Sequence, residues 1–124
     1  MTKKAIGFEA VREIGLALPG VEEGTAYGSP ALRVRGKMMA VVPVNPSAEA
    51  GSLAVAVDRE QRAALLAEAP EIYYVTPHYE GYDWVLVRLA RVDREVLKDL
   101  LGMAHKFVMR KAGRKGGKTK RKVK

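Results

Sequence analysis

Cysteine is absent from this chain, which excludes disulfides, thiolate metal sites and cysteine nucleophiles. Histidine is scarce. A zinc site would need His78, His105 and carboxylates to converge, and no HxxxH-type spacing supports that. No metal or cofactor is expected. No apolar run approaches the ~20 residues that a membrane helix requires. The basic opening Met1-Thr2-Lys3-Lys4 is soon interrupted by Glu9 and Glu13, so no signal peptide is readable. The expectation is a cytoplasmic monomer with no membrane partner. Ser29, Ser47 and Ser52 fall in loops without a nucleophile-elbow setting. The segment Gly113-Arg114-Lys115-Gly116-Gly117-Lys118 lacks both the spacing of a phosphate-binding loop and an apolar helix after it. No enzyme is expected.

What the chain does have is an uneven charge. Its 124 residues carry a formal net charge of +8. Ten basic residues and no acid stand between Lys106 and Lys124, whereas residues 1–105 hold twelve basic and fourteen acidic groups, a net of −2. A slightly acidic body with a strongly basic end reads as an interaction tail. Residues 1–112 have room for one domain with a modest core. From 113 to 124, glycine and lysine replace nearly every apolar residue, too few to offset the entropy of ordering, so a disordered basic tail is expected there.

Along the body, Phe8, Val11, Ile14 and Leu18 recur at helical spacing and predict an amphipathic helix over residues 7–17. Pro19-Gly20 stops it. The acidic pair Glu22-Glu23 follows, then a short first strand at Thr25-Ala26-Tyr27 closed by Gly28. Ala31-Leu32-Arg33-Val34 reads as a strand, Arg35-Gly36-Lys37 as a tight turn in which glycine supplies positive φ, and residues 38–42 as the returning strand. Residues 45–52 are a loop by composition. In Leu53-Ala54-Val55-Ala56-Val57, larger and smaller apolar residues alternate, which suits a largely buried strand.

Asp58 is the natural N-cap of a helix over residues 59–69, with Gln61 completing a capping-box pattern. Residues 72–75 and 84–89 read as two more strands joined by a polar and aromatic connection. Trp84 opens the most apolar of these strands and is expected to be mostly buried. Asp93 caps a last helix on which Val96, Leu97, Leu100, Leu101, Ala104, Phe107 and Val108 form a broad apolar stripe. That stripe needs a sheet to cover. The order α-β-β-β-β-α-β-β-α, with short connections between strands, gives an α+β fold: an antiparallel sheet of hairpins with helices packed on one face.

Several of these stretches share their wording with a known family. Leu18-Pro19-Gly20-Val21-Glu22-Glu23 at a helix end, Tyr27-Gly28 and the turn Gly36-Lys37 resemble the first signature of MmcQ/YjbR-like proteins. Tyr73-Tyr74-Val75-Thr76-Pro77-His78-Tyr79 followed by Trp84-Val85-Leu86-Val87 resembles the second, and the resemblance runs in order over residues 8–108. Met39 stands where an aromatic is usual, and Thr76 where proline is frequent. The resemblance implies a YjbR/CyaY-like, double-wing α+β fold, likened to nucleic-acid-binding domains. It brings no catalytic role for His78 or Trp84, which match signature positions.

Two sets of residues are candidates for function. Arg33, Arg35 and Lys37 alternate along the first hairpin and its turn, which places Arg33 and Arg35 on one face and Lys37 near the tip. A basic hairpin of this kind suits phosphate contact. With it go Arg110, Lys111, Arg114, Lys115, Lys118, Lys120, Arg121, Lys122 and Lys124, whose charges favour polyanions through counterion release without reading sequence. The first expected function is thus a small binding module for DNA or RNA. The alternative is a small-ligand or protein-binding domain with a pocket of Tyr27, Tyr74, His78 and Trp84, the tail being incidental. Crowding around Pro77 and Gly81, where the backbone must turn sharply, motivates that pocket. His78 beside Glu80 or Asp83 is either an oriented base or a residue capping a turn near solvated acids.

Overall fold

The computed structural model describes residues 7–117, with side chains through residue 112. Six strands, β1 (Val21–Ala26), β2 (Ser29–Val34), β3 (Lys37–Val41), β4 (Ser52–Ala56), β5 (Tyr73–Tyr74) and β6 (Trp84–Arg88), form one sheet in the order β1-β2-β3-β4-β6-β5. Every neighbouring pair is antiparallel. The helices among the described residues are α1 (Phe8–Leu16), α2 (Arg59–Glu68), α3 (Pro77–Glu80) and α4 (Arg94–Gly117). The architecture is the α+β fold expected, with antiparallel hairpins at its centre.

The core lies between the sheet and the pair α1 and α4. Val11 of α1 and Leu97, Leu100, Leu101 and Ala104 of α4 are buried against Leu32, Val34, Leu53, Val55, Val85 and Val87 of the sheet. The apolar stripe on α4 thus finds the sheet that it requires. Asp93 caps α4 by accepting from Val96 N at 2.9 Å. His105 ties the helix to the α1–β1 corner, its Nε2 donating to the Pro19 carbonyl at 2.7 Å. At the far edge, α2 adds Leu65, Leu66 and Ala69 to the periphery of the core.

Both tight turns have two residues with positive φ, Tyr27-Gly28 (54° and 79°) and Arg35-Gly36 (54° and 78°). Positive φ at both central positions is the I′ geometry, whose twist matches that of the flanking strands. Glycine takes it freely, but Tyr27 and Arg35 occupy it at a steric cost. Between β2 and β3, Arg33 pairs with Met38 and Leu32 with Ala40, so Met39 is an extra residue in the ladder. Such a bulge turns two successive side chains to one side, and Met39 and Ala40 are both fully buried in the core.

The structure corrects the sequence reading in several places. The first strand begins at Val21 rather than Thr25, because Glu22 is paired across the ladder with Arg33 and Glu23 reaches Arg12 at 3.7 Å. Lys37 belongs to β3 and not to the turn, which leaves Arg35 in the turn, so the two arginines do not share a regular strand alternation. The 76–83 connection contains α3, with Pro77 suiting its first turn. That short helix lies on the side of the sheet opposite α1 and α4, so the helices do not all occupy one face. In α2 only half of the capping box forms: Asp58 Oδ1 accepts from Gln61 N at 2.7 Å, while the buried Gln61 Oε1 has no partner. The backbone of α4 continues past Ala112 to Gly117; residues 118–124 of the expected tail lie outside the described residues.

Helix α1 sits unusually close to the sheet at Gly15, where an added Cβ would collide with a terminal methyl of fully buried Leu32. Gly15→Ala gains up to about 1 kcal/mol in helix propensity but overpacks a site where such insertions cost about 1–3 kcal/mol. The clash outweighs the propensity gain because Leu32 is fully buried and must shift within the core to relieve it. The variant is expected to melt below the parent chain, and an unchanged or raised melting temperature would show that α1 can lift away from β2.

Candidate functional site

On the sheet face away from α1 and α4, Ala26, Met38, Val41, Ala54 and Trp84 floor a cavity of about 620 Å³. Its walls are the Val42–Pro46 stretch on one side and His78, Tyr79 and Tyr82 on the other, with Tyr27 at the rim. Of the eight aromatic residues in the chain (five Tyr, two Phe, one Trp), four line this one space. Aromatic side chains ordinarily supply core burial, yet here Tyr27 is 89% exposed and Tyr82 60%. Trp84 is mostly buried, as expected, packing against the core while also lining this cavity. None of the cavity-lining residues is an acid, lysine or arginine.

A second cavity of about 460 Å³ adjoins the first and shares Met38, Tyr82 and Trp84 with it. Its character is different. Lys37, Arg59 and Lys111 line it together with one acid, Asp83. Arg59 Nε donates to Asp83 Oδ1 at 2.9 Å, and Lys111 Nζ approaches Asp83 Oδ2 at 3.4 Å. Phe107 and Val108 of α4 complete the wall.

Three of the four pocket residues expected from sequence, Tyr27, His78 and Trp84, meet on the first cavity; Tyr74 does not. The Tyr74 hydroxyl is 2.6 Å from Ser52 Oγ and accepts from Glu49 N at 2.7 Å, while the Arg88 guanidinium lies 4.3 Å above its ring. Tyr74 therefore pins the 45–51 loop to the sheet, outside the cavity. Tyr79 and Tyr82 take its place in the lining. Their signal in the sequence was only their membership of the same aromatic stretch. His78 is exposed, its ring meeting Tyr79 edge-on at 4.8 Å. No hydrogen bond or ion pair joins it to Glu80 or Asp83, so the oriented-base arrangement does not form; Asp83 is committed to Arg59 and Lys111.

The segment carrying Tyr82 and Trp84 is held by two arginines of α2. Arg62 donates to the carbonyls of Tyr82 (2.9 Å), Trp84 (3.1 Å) and Glu80 (3.2 Å), and Arg59 to that of Gly81 (2.7 Å). Sequence reasoning passed over both, although their i, i+3 spacing puts them on one side of the helix. Burial pushes the Tyr79 hydroxyl above the ordinary phenol range, with the nearby Tyr74 hydroxyl adding to the effect, so the ring stays neutral.

The basic candidates are scattered. Arg33 lies on β2 opposite Glu22, Arg35 at the exposed hairpin tip and Lys37 in the second cavity. Arg110 is 3.8 Å from Asp58 and Lys111 is paired with Asp83. Arg114 and Lys115 fall on the backbone of α4, beyond the described side chains. Lys118, Lys120, Arg121, Lys122 and Lys124 lie outside the described residues. Among the described residues, no group of three or more His, Asp and Glu side chains could hold a metal ion, and no helix is long and apolar enough to cross a membrane.

Two expectations follow from these supports. Arg62→Met removes charge-assisted contacts to three carbonyls and should cost about 1–2 kcal/mol in a denaturant titration; an unchanged midpoint would show the 80–84 segment to be self-supporting. Glu49 receives two 2.9 Å hydrogen bonds from Arg88, which hold its carboxyl below the usual carboxylate range. A depressed carboxylate stabilises the fold above its unfolded pKa, and that contribution fades as pH falls through the folded value. Stability measured between about pH 3 and 6, the span around an ordinary Glu pKa, should therefore fall less steeply in Glu49→Gln than in the parent chain. Equal slopes would mean that the pair is already screened by water.

The sequence model of the YjbR family matches residues 16–107. A crystal structure of a Deinococcus radiodurans protein with a DUF419 domain superposes with a TM-score of 0.71 at 22% identity, covering 94% of this chain and 91% of that one. Uncharacterised proteins of Mycobacterium bovis and Mycobacterium tuberculosis are 43% identical over 44 residues, 36% of this chain. The match spans about a third (34%) of the length of those curated relatives. With its family match extending over most of the chain, and the fold of the Deinococcus domain, this protein belongs to the YjbR family.

Proposed function

We propose that this chain is a non-enzymatic binding module, a cytoplasmic monomer that holds nucleic acid through its basic C-terminal end without reading sequence. The observation that carries this reading is the division of charge: ten basic residues from Lys106 to Lys124, against −2 for residues 1–105. Clustered cations on one end attract a polyanion and release its counterions, whatever the base sequence. The fold gives that end a direction. Among the described side chains of α4 the last buried one is Val108, and Lys111 lines the cationic cavity that adjoins the open sheet face. Arg35, exposed at the β2–β3 tip, supplies a wing-like contact at the same end of the sheet as that cavity. Phosphate contacts of this kind position a protein on nucleic acid and carry no sequence information.

Titration of duplex DNA at several salt concentrations tests the reading. If about five charges meet phosphates, log affinity should fall with log salt at a slope near −4.5. Truncation after Ala112 removes seven cations and leaves a net charge of +1, while every core residue among the described residues is retained. The truncated chain should melt as the parent does and lose most of its DNA affinity. Undiminished binding would transfer the contact to the folded body, and an absence of salt-dependent binding by the full chain would refute the reading.

A further inference from the structure

We propose that the aromatic cavity receives unpaired bases, which makes single-stranded nucleic acid the preferred partner. The proposal rests on the reading of the basic end as a polyanion contact and adds what the folded body does. A nucleotide has a flat, uncharged aromatic half and an anionic half, and the two adjoining cavities offer a compartment for each. The larger cavity is lined by rings, aliphatic groups and the amide residue Asn45, with no formally charged side chain. The adjoining one presents Lys37, Arg59 and Lys111 against the single acid Asp83. Shared walls at Met38, Tyr82 and Trp84 set the two compartments side by side. A strand laid across them would stack bases on the first and bring its phosphates to the second, in the direction from which α4 carries the basic end.

The conformation of the rim points the same way. Tyr27 stands at φ 54° in a two-residue turn, 89% exposed, where asparagine or glycine would relax the backbone. A bulky ring kept at a strained and solvated position contributes little to the fold, and strain of this kind collects at binding sites. Tyr82 is exposed for a different reason, since Arg59 and Arg62 fix the backbone on either side of it. The rings are thus presented on supported backbone rather than on a loose loop. A duplex conceals the faces of its bases, so these rings can serve only a strand whose bases are splayed out.

Trp84, the sole tryptophan, sits where the two cavities meet and reports directly on occupancy. The full chain is titrated with an oligothymidylate of about 12 nucleotides, within the range of single-strand sites. The same-length duplex and an abasic oligomer of equal charge serve as comparisons. The oligothymidylate is expected to bind more tightly than either and to quench Trp84 emission, whereas the other two leave the emission unchanged. Tyr82→Ser should cut the preference for single strand over duplex about 5- to 150-fold, the value of one stacked base. Tyr27→Asn should lower the same preference while melting at or above the parent temperature, which separates binding from folding. Equal affinity for all three polymers, with silent tyrosine variants, overturns base binding and leaves the tail reading standing. Salt-independent or absent binding of every polymer removes the tail reading and this inference with it.

Discussion

The alternation of large and small side chains along β4 governs the two faces of this sheet. Leu53, Val55 and Val57 point toward α1 and α4, and with Val85 and Val87 they fill the space beneath the two helices. Ala54 points the other way, as do Ala26 on β1 and Ala31 on β2, while Ala56 lies where the core meets the cationic cavity. A layer packed on a sheet stands about 10 Å from it, and alanine cannot fill that distance. One face is therefore closed by aliphatic packing, while the other is left with a floor and a gap. The bulge at Met39 sharpens the contrast by turning two consecutive side chains of β3 into the core and leaving Met38 to the open side.

The walls of the gap are built by a different chemistry from the core. On one side, Tyr74, Ser52, Glu49 and Arg88 hold the 45–51 loop through hydrogen bonds and a cation over a ring. Ser47 Oγ lies 2.8 Å from Thr76 Oγ1 and joins this loop to the start of α3. On the other side, Arg59 and Arg62 grip the carbonyls of residues 80–84. Most of these contacts are exposed to water, where each is worth less than a buried one. The core sets the global stability, and the cavity walls belong to the less stable part of the structure, as binding surfaces commonly do.

The sheet also deals with its own edges. The β1 edge carries Glu22 and Glu23, and β5 at the other edge has only two residues. Charge and brevity both discourage pairing with another chain. The neutral aromatic cavity on the open face then adjoins the cationic cavity at the end of α4, the two sharing Met38, Tyr82 and Trp84.

Much of this fold could be read from local pattern. The helical spacing of Phe8, Val11 and Ile14, the caps at Asp58 and Asp93, the glycines of the two turns and the stripe on α4 are signals between residues a few positions apart. They specified the strands, the main helices and their antiparallel pairing. Missing from that reading were α3, the four residues by which β1 begins early, and the split of the 74–84 aromatics between a loop support and a cavity lining. Those features depend on partners far along the chain: Glu22 on Arg33, Tyr74 on Glu49 and Ser52, and Tyr82 on Arg62. Sequence composition alone located the basic end and the aromatic stretch. Only the ladder pairing Ala56 with Trp84 and Ala54 with Leu86 decided that the tryptophan would line a cavity as well as pack against the core, because side-chain facing along a strand is set by its register with its neighbours.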